Sequence, residues 1–136
     1  MKNFAKSALA IVGGFIIGSI VNMGIIVVGP KLVPPPEGAD TSTMEGLTAA
    51  MSLFEPKHSL APFLAHALGT LVGAFVAAKL NPAQGRTMAF TIGVLFLLGG
   101  LTNVFILPSP LWFSAIDILF AYLPMAWLAS KFANSK

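Results

Sequence analysis

The sequence predicts an all-α fold, a four-helix transmembrane bundle, and three observations predict it. Four apolar stretches, 4–28, 60–80, 86–107 and 111–132, each have about the length that crosses a bilayer. Only 10% of the 136 residues are charged, where a soluble domain carries about 25%, and mean hydropathy is +0.84. Prolines punctuate the joints: Gly29-Pro30, Glu55-Pro56, Asn81-Pro82 and the pair Pro108 and Pro110. One domain of antiparallel spans follows, with a single long loop over 29–59.

The first span begins after Lys2 and Lys6. It is too long for the apolar core of a secretory signal and lacks a small-x-small cleavage site, so it reads as a retained helix. Gly29-Pro30 is expected to end it. Ala10, Gly14, Gly18 and Asn22 recur at four-residue intervals and form one stripe. The loop opens with Pro34, Pro35 and Pro36, which favour extended backbone. Ser42 to Glu45 then reads as a capping box, and Met44, Leu47, Met51 and Phe54 keep helical spacing. A short amphipathic helix in this first outer loop is predicted.

The second span, 60–80, has Ser59 as N-cap and Pro62 in its first turn. Its own small-residue stripe is Ala65, Gly69, Gly73 and Ala77, which lets another helix approach closely. In the third span Gly93 and Gly100 share a face, with Asn103 one turn on. The fourth carries Pro124 in its interior, which predicts a kink and a freed carbonyl near Phe120. The two small-residue stripes are also expected to offer surfaces for a homo-oligomer or for docking into a larger membrane assembly.

Four spans put both ends of the chain on one side of the membrane. Lys2, Lys6, Lys79, Arg86, Lys131 and Lys136 share that side, and only Lys31 and Lys57 lie opposite. The bias predicts an inner-membrane protein with both termini cytoplasmic and the acidic loop outside. Trp112 belongs at the outer interface and Trp127 nearer the inner one. The partners implied are the lipid bilayer and either a second copy or another membrane protein. No basic run or basic-aromatic patch suggests nucleic acid. With no cysteine, disulfides, thiolate metal sites and thiol redox chemistry are excluded.

Asn22, His66, Asn103 and Asp117 are the strongly polar residues of the spans. Counted from the outer helix ends, all four fall roughly 6–9 Å below the boundary. An intramembrane carboxylate costs about 2.5–3.5 kcal/mol on insertion scales, so Asp117 is expected to have a partner, with His66 the ionisable residue at its level. The quartet reads in three ways: polar glue between helices, a small ligand or ion site near the periplasmic face, or a catalytic pair with His66 as base. No nucleophile at motif spacing supports catalysis, so no catalytic residue is assigned. A metal site of His66, Asp117 and His58 lacks any HxxxH or HExxH motif, and none is assigned.

Small multidrug transporters and fluoride channels have similar lengths, but the charge bias and the missing span glutamate and phenylalanine-threonine box set this chain apart. The stretch from His66, HALGTLVGAFVAAKL, and the turn Pro108-Ser-Pro-Leu-Trp112-Phe113 resemble those of small four-span inner-membrane proteins of bacteria. That resemblance implies the same architecture and no particular activity. The sequence therefore points first to a non-enzymatic oligomer or subunit of a membrane assembly with a polar ligand, ion or partner site. An oligomeric transporter or channel using Asp117 and His66 comes second, and an enzyme acting on a lipid or quinone third. The sequence does not identify a cofactor.

Overall fold

The computed structural model describes residues 1–135. Among them 84% are helical and none forms a strand. The helices are α1 (Lys2–Leu32), α2 (Met44–Ala50), α3 (Leu60–Leu80), α4 (Gly85–Ile106), α5 (Leu111–Phe120) and α6 (Leu123–Asn134). Single 3-10 turns at Pro56–Ser59 and Pro82–Gln84 lead into α3 and α4. With those turns included, and α5 and α6 taken together, four helical segments are long and apolar enough to cross a membrane.

The residue distribution explains which solvent this fold needs. The main core is built of Ala10, Ala74, Ala77, Ala78, Ala89, Ala126 and Ala129, with Met88 and Ile92 as its larger members. Bulky residues such as Phe4, Leu9, Ile20, Met23, Val27, Leu98 and Leu119 point outward. Small residues inside let helix backbones approach closely, and large apolar residues outside suit a hydrocarbon surround. A chain with this surface in water would expose far more apolar area than a soluble monomer tolerates. Four long apolar helices thus mark a small membrane protein.

α1 packs chiefly on α3, and the two small-residue stripes form the seam. A Cβ on Gly14 would stand 2.5 Å from the Gly73 carbonyl oxygen, and one on Gly18 would stand 2.6 Å from that of Gly69. Ala61 faces Gly29 at the far end of the same seam. The stripes are therefore consumed inside the chain, which corrects the expectation that they offer surfaces to a second copy. α3 also contacts α4 and α6, so it is the central helix. At the end away from the loop, Asn81 Nδ2 donates to Ser7 Oγ (3.0 Å) and Ser7 Oγ donates to Gln84 Oε1 (3.1 Å), closing the base of the bundle.

Three local expectations need correction. α1 does not stop at Gly29-Pro30 but runs through both to Leu32. Pro30 cannot donate to the Ile26 carbonyl, yet the ladder resumes after it, with the Val33 amide donating to the Gly29 carbonyl at 2.9 Å. Ser42 is not the cap of α2: its amide donates to Asp40 Oδ1 at 2.9 Å, and its hydroxyl donates to the same oxygen. Thr43 takes the capping position, where its Oγ1 accepts from the Gly46 amide at 3.0 Å. Ser59 is itself helical and makes no side-chain cap, because the preceding 3-10 turn already supplies the first carbonyls.

The fourth span breaks at Ala121 and Tyr122, between α5 and α6. The Ala121 amide donates to the Asp117 carbonyl and the Ala126 amide to the Tyr122 carbonyl, both at 2.9 Å. Between them Pro124 contributes no donor, so the chain turns there instead of continuing straight.

Candidate functional site

His66 and Asp117 meet. Nδ1 of His66 lies 2.9 Å from each carboxylate oxygen of Asp117, and the two side chains are 16% and 5% exposed. The Tyr122 hydroxyl donates to Oδ2 of the same carboxylate at 2.8 Å, and its ring stacks on the imidazole with centroids 5.8 Å apart. Tyr122 has one proton to give, and it goes to Asp117. The symmetric approach of Nδ1 to both oxygens then suits a carboxylate that accepts from two donors. With Nδ1–H committed, Nε2 of a neutral imidazole is an acceptor. No described residue offers it a hydrogen bond.

Each helix contributes through a local cause. α3 brings His66 down its open flank, next to the stripe that packs on α1. α5 buries Asp117, and the break before Pro124 rotates Tyr122 back towards it. On an unbroken helix residues five apart point about 140° away from each other, so this contact depends on the break. Tyr122 belongs to the site and was missed from the sequence. The available signal was its status as the sole tyrosine, two residues before a span proline.

The asparagines sit differently from the expected layer. Because α1 extends to Leu32, Asn22 lies about 15 Å from its end. It stands beside Gly69, one turn further along α3 than His66. Asn103 is exposed on α4. Neither amide finds a hydrogen-bond partner among the described residues. Both line a groove of about 390 Å³ between α1 and α4, and His66 lines it as well.

Next to the pair is a cavity of about 430 Å³ at the loop end of the bundle. Its walls are mostly apolar, with Ile26, Val104, Leu107 and Phe113 among them, and its polar groups include His66, Asp117, Asn103 and Ser114. Leu47 and Phe54 of the loop close over it. His58 pins this roof. Its Nδ1 accepts from the Glu55 amide (2.8 Å), which leaves Nε2 to donate to the Pro34 carbonyl (3.1 Å). Both nitrogens of His58 are thus engaged, so it is not a third ligand beside His66 and Asp117. No cluster of three or more metal-ligating side chains occurs among the described residues.

A volume of a few hundred cubic ångströms, apolar walls and a few convergent polar groups are the usual makings of a small-molecule site. The chain matches no protein-family model, no curated protein and no solved structure, so the reading of this site rests on its geometry.

Proposed function

We propose that this is a non-enzymatic binding module of the inner membrane, holding a small amphiphile at the loop end of an antiparallel four-span bundle. The observation that carries the reading is the 430 Å³ apolar cavity with the His66–Asp117 pair and its unused Nε2 at the wall. His66 Nε2 makes no hydrogen bond to a described residue, and a ligand hydroxyl could supply one.

The loop end faces the periplasm in this proposal. Three cations at the opposite end support it: Lys79, Arg86 and Lys131 each lie over an aromatic ring, of Phe75, Phe90 and Trp127, at 5.6, 5.8 and 5.6 Å. An excess of lysine and arginine favours the cytoplasmic side, and aromatic residues suit either interface. α2, with Leu47 turned to the cavity, acts as an amphipathic lid over the site. Homo-oligomerisation keeps no structural argument once the stripes are used internally, and a membrane-protein partner remains a proposal on the loop face alone.

A second reading has one observation in its favour. A carboxylate-backed imidazole with a free Nε2 is the arrangement of a general base, and Ser114 lines the same cavity. That would make the protein an enzyme acting on a lipid-like substrate. The channel alternative lacks a continuation, since the core beyond the pair is alanine, Met88 and Ile92.

The test is what co-purifies. Protein extracted from native membranes in gentle detergent should carry a stoichiometric small amphiphile by native mass spectrometry, and His66→Leu should lose it while keeping its helical spectrum. Wild-type protein that carries nothing beyond detergent overturns the binding reading. Release of a chemically altered amphiphile in place of the one supplied selects the enzyme.

A further inference from the structure

The cavity and the groove between α1 and α4 are two separate spaces with three residues in common: His66, Gly100 and Asn103. The groove opens on the flank of the bundle, among residues that a membrane would bathe in acyl chains, such as Phe15 and Leu95. It is nonetheless polar along part of its length, where Asn22 and Asn103 present amides that make no hydrogen bond to the described residues. An amide facing hydrocarbon without a partner is costly. Two of them along one groove, leading to an imidazole whose Nε2 bonds to no described residue, describe a path for a polar head.

From this we infer that the site is loaded sideways from the lipid, through the α1–α4 groove, by an amphiphile with an uncharged, hydroxyl-bearing head. This deepens the binding reading and rests on it. The lack of charge follows from the walls: no lysine or arginine lines either space, so a phosphate or carboxylate head would lie in a low-dielectric site beside Asp117 with no counter-charge. A hydroxyl suits the residues present. It donates to His66 Nε2 and accepts from the Asn103 amide, while its hydrocarbon tail stays in the groove against Phe96 and Leu95. Leu47 and Phe54 line the loop side of the cavity and His58 ties that segment to the Pro34 carbonyl, so the flank is the route assigned to a long-tailed amphiphile.

Gly99 makes the idea testable. It lines the groove but not the cavity, and a Cβ placed there meets nothing within 4 Å. Gly99→Phe therefore plugs the entrance without disturbing the site. The full chain is placed in phosphatidylcholine vesicles with one of three diazirine-bearing probes: hexadecanol, the matching sixteen-carbon acid, or butanol. Photolabelled residues are mapped by peptide mass spectrometry. Hexadecanol is expected to label both groove and cavity. Gly99→Phe should cut its cavity labelling at least tenfold and leave that by butanol, which is small enough to pass or to enter from water, within twofold. The acid should label the cavity at least tenfold less than the alcohol.

Cavity labelling by hexadecanol that Gly99→Phe leaves unchanged overturns lateral loading, while the binding reading stands. Equal labelling by acid and alcohol overturns the uncharged head. No cavity labelling by either alcohol removes the binding reading and this inference together. A groove filled by a second copy, seen as chain-to-chain crosslinks through Asn22 or Asn103, also overturns it. If Gly99→Phe does not fold, Thr102→Phe serves in its place: Thr102 lines the same groove, and its hydroxyl bonds only to the Leu98 carbonyl of its own helix.

Discussion

Gly100 lies directly against the phenol of Tyr122: a Cβ built at Gly100 would overlap the hydroxyl oxygen and stand 2.5 Å from the ring carbon that bears it. The glycine thus sets where the Tyr122 hydroxyl goes, and that hydroxyl reaches Asp117. Gly100→Ala should destabilise the protein by about 1–3 kcal/mol, the usual cost of overpacking. Its neighbour Gly99 meets nothing, so Gly99→Ala should be neutral or slightly stabilising, since alanine is the better helix former by roughly 1 kcal/mol. Reversible unfolding in mixed micelles measures both. Equal losses at the two positions would show that Gly100 does not position the tyrosine.

The pair of His66 and Asp117 is open to a double-mutant cycle. Hydrogen bonds between transmembrane helices contribute only about 0.6 kcal/mol on average. A buried carboxylate stripped of its partner is different, and costs about 3–5 kcal/mol. His66→Ala should therefore lose about 3 kcal/mol or more, Asp117→Ala a similar amount, and the double variant little beyond either. Tyr122→Phe removes one hydrogen bond to the same carboxylate and should cost about 1–3 kcal/mol. A coupling energy near the 0.6 kcal/mol average would reduce the pair to ordinary interhelical glue.

The α1–α3 seam separates two kinds of glycine on one helix. Gly18 is pressed against the Gly69 carbonyl, whereas Gly24 has nothing within 4 Å. Gly18→Leu should push α1 away and make the chain sensitive to protease in micelles, with a loss of several kcal/mol. Gly24→Leu should leave both stability and protease resistance unchanged. If the two variants behave alike, α1 does not dock through its small-residue stripe.

Some of this was legible in the sequence, for physical reasons that differ by residue. The second span, 60–80, was readable to the residue because an apolar run, a lysine and Asn81-Pro82 all bound it. The proximity of His66 and Asp117 was readable because an ionisable group in a span needs a partner, and each had only one available at its depth. Tyr122 was not, because its contact with Asp117 exists only after the helix breaks. The end of α1 was misplaced because the backbone bond from the Val33 amide to the Gly29 carbonyl carries the helix past Pro30, and a proline in the sequence does not reveal whether the next amides will bond. The cap of α2 was misplaced by one residue, since Ser42 and Thr43 are both good caps and only the Asp40 carboxylate decides which is free. That the stripes of α1 and α3 face each other, and not a second copy, is a matter of tertiary pairing that spacing alone does not encode.

Asp40 makes the roof sensitive to acid. Hydrogen bonds from the Ser42 hydroxyl and amide hold its carboxyl below the ordinary aspartate value. A depressed pKa means the contribution is complete above the unfolded-state value and is lost as pH falls through the folded one. The turn before α2 should therefore be intact at neutral pH and open only in strong acid. The amide resonance of Ser42, followed in isotropic bicelles, should titrate with a midpoint lower than that of aspartate in an unstructured peptide. A midpoint at or above the peptide value would show that the Asp40–Ser42 turn does not hold in solution. Asp40→Ala should remove the titration and speed amide exchange at Gly46.

The proposed orientation has a direct check, because the chain contains no cysteine and single reporters need no background removed. Glu37, in the loop after α1, and Ala83, in the turn between α3 and α4, are both exposed and lie at opposite ends of the bundle. Among the described residues, Lys2, Lys6, Lys79, Arg86 and Lys131 lie on the Ala83 side against Lys31 and Lys57 on the loop side, and this bias favours the Ala83 side staying in the cytoplasm; Lys136 lies outside the described residues. In intact bacterial cells whose outer membrane has been permeabilised, a membrane-impermeant maleimide should label Glu37→Cys fully. It should reach Ala83→Cys only after the inner membrane is opened. The reverse pattern would place the cavity and its roof on the cytoplasmic side. The cation-aromatic pairs at Lys79, Arg86 and Lys131 would then lie at the outer face, against the charge rule on which the proposed orientation rests. Labelling of both positions in intact cells would mean that the chain inserts in two orientations.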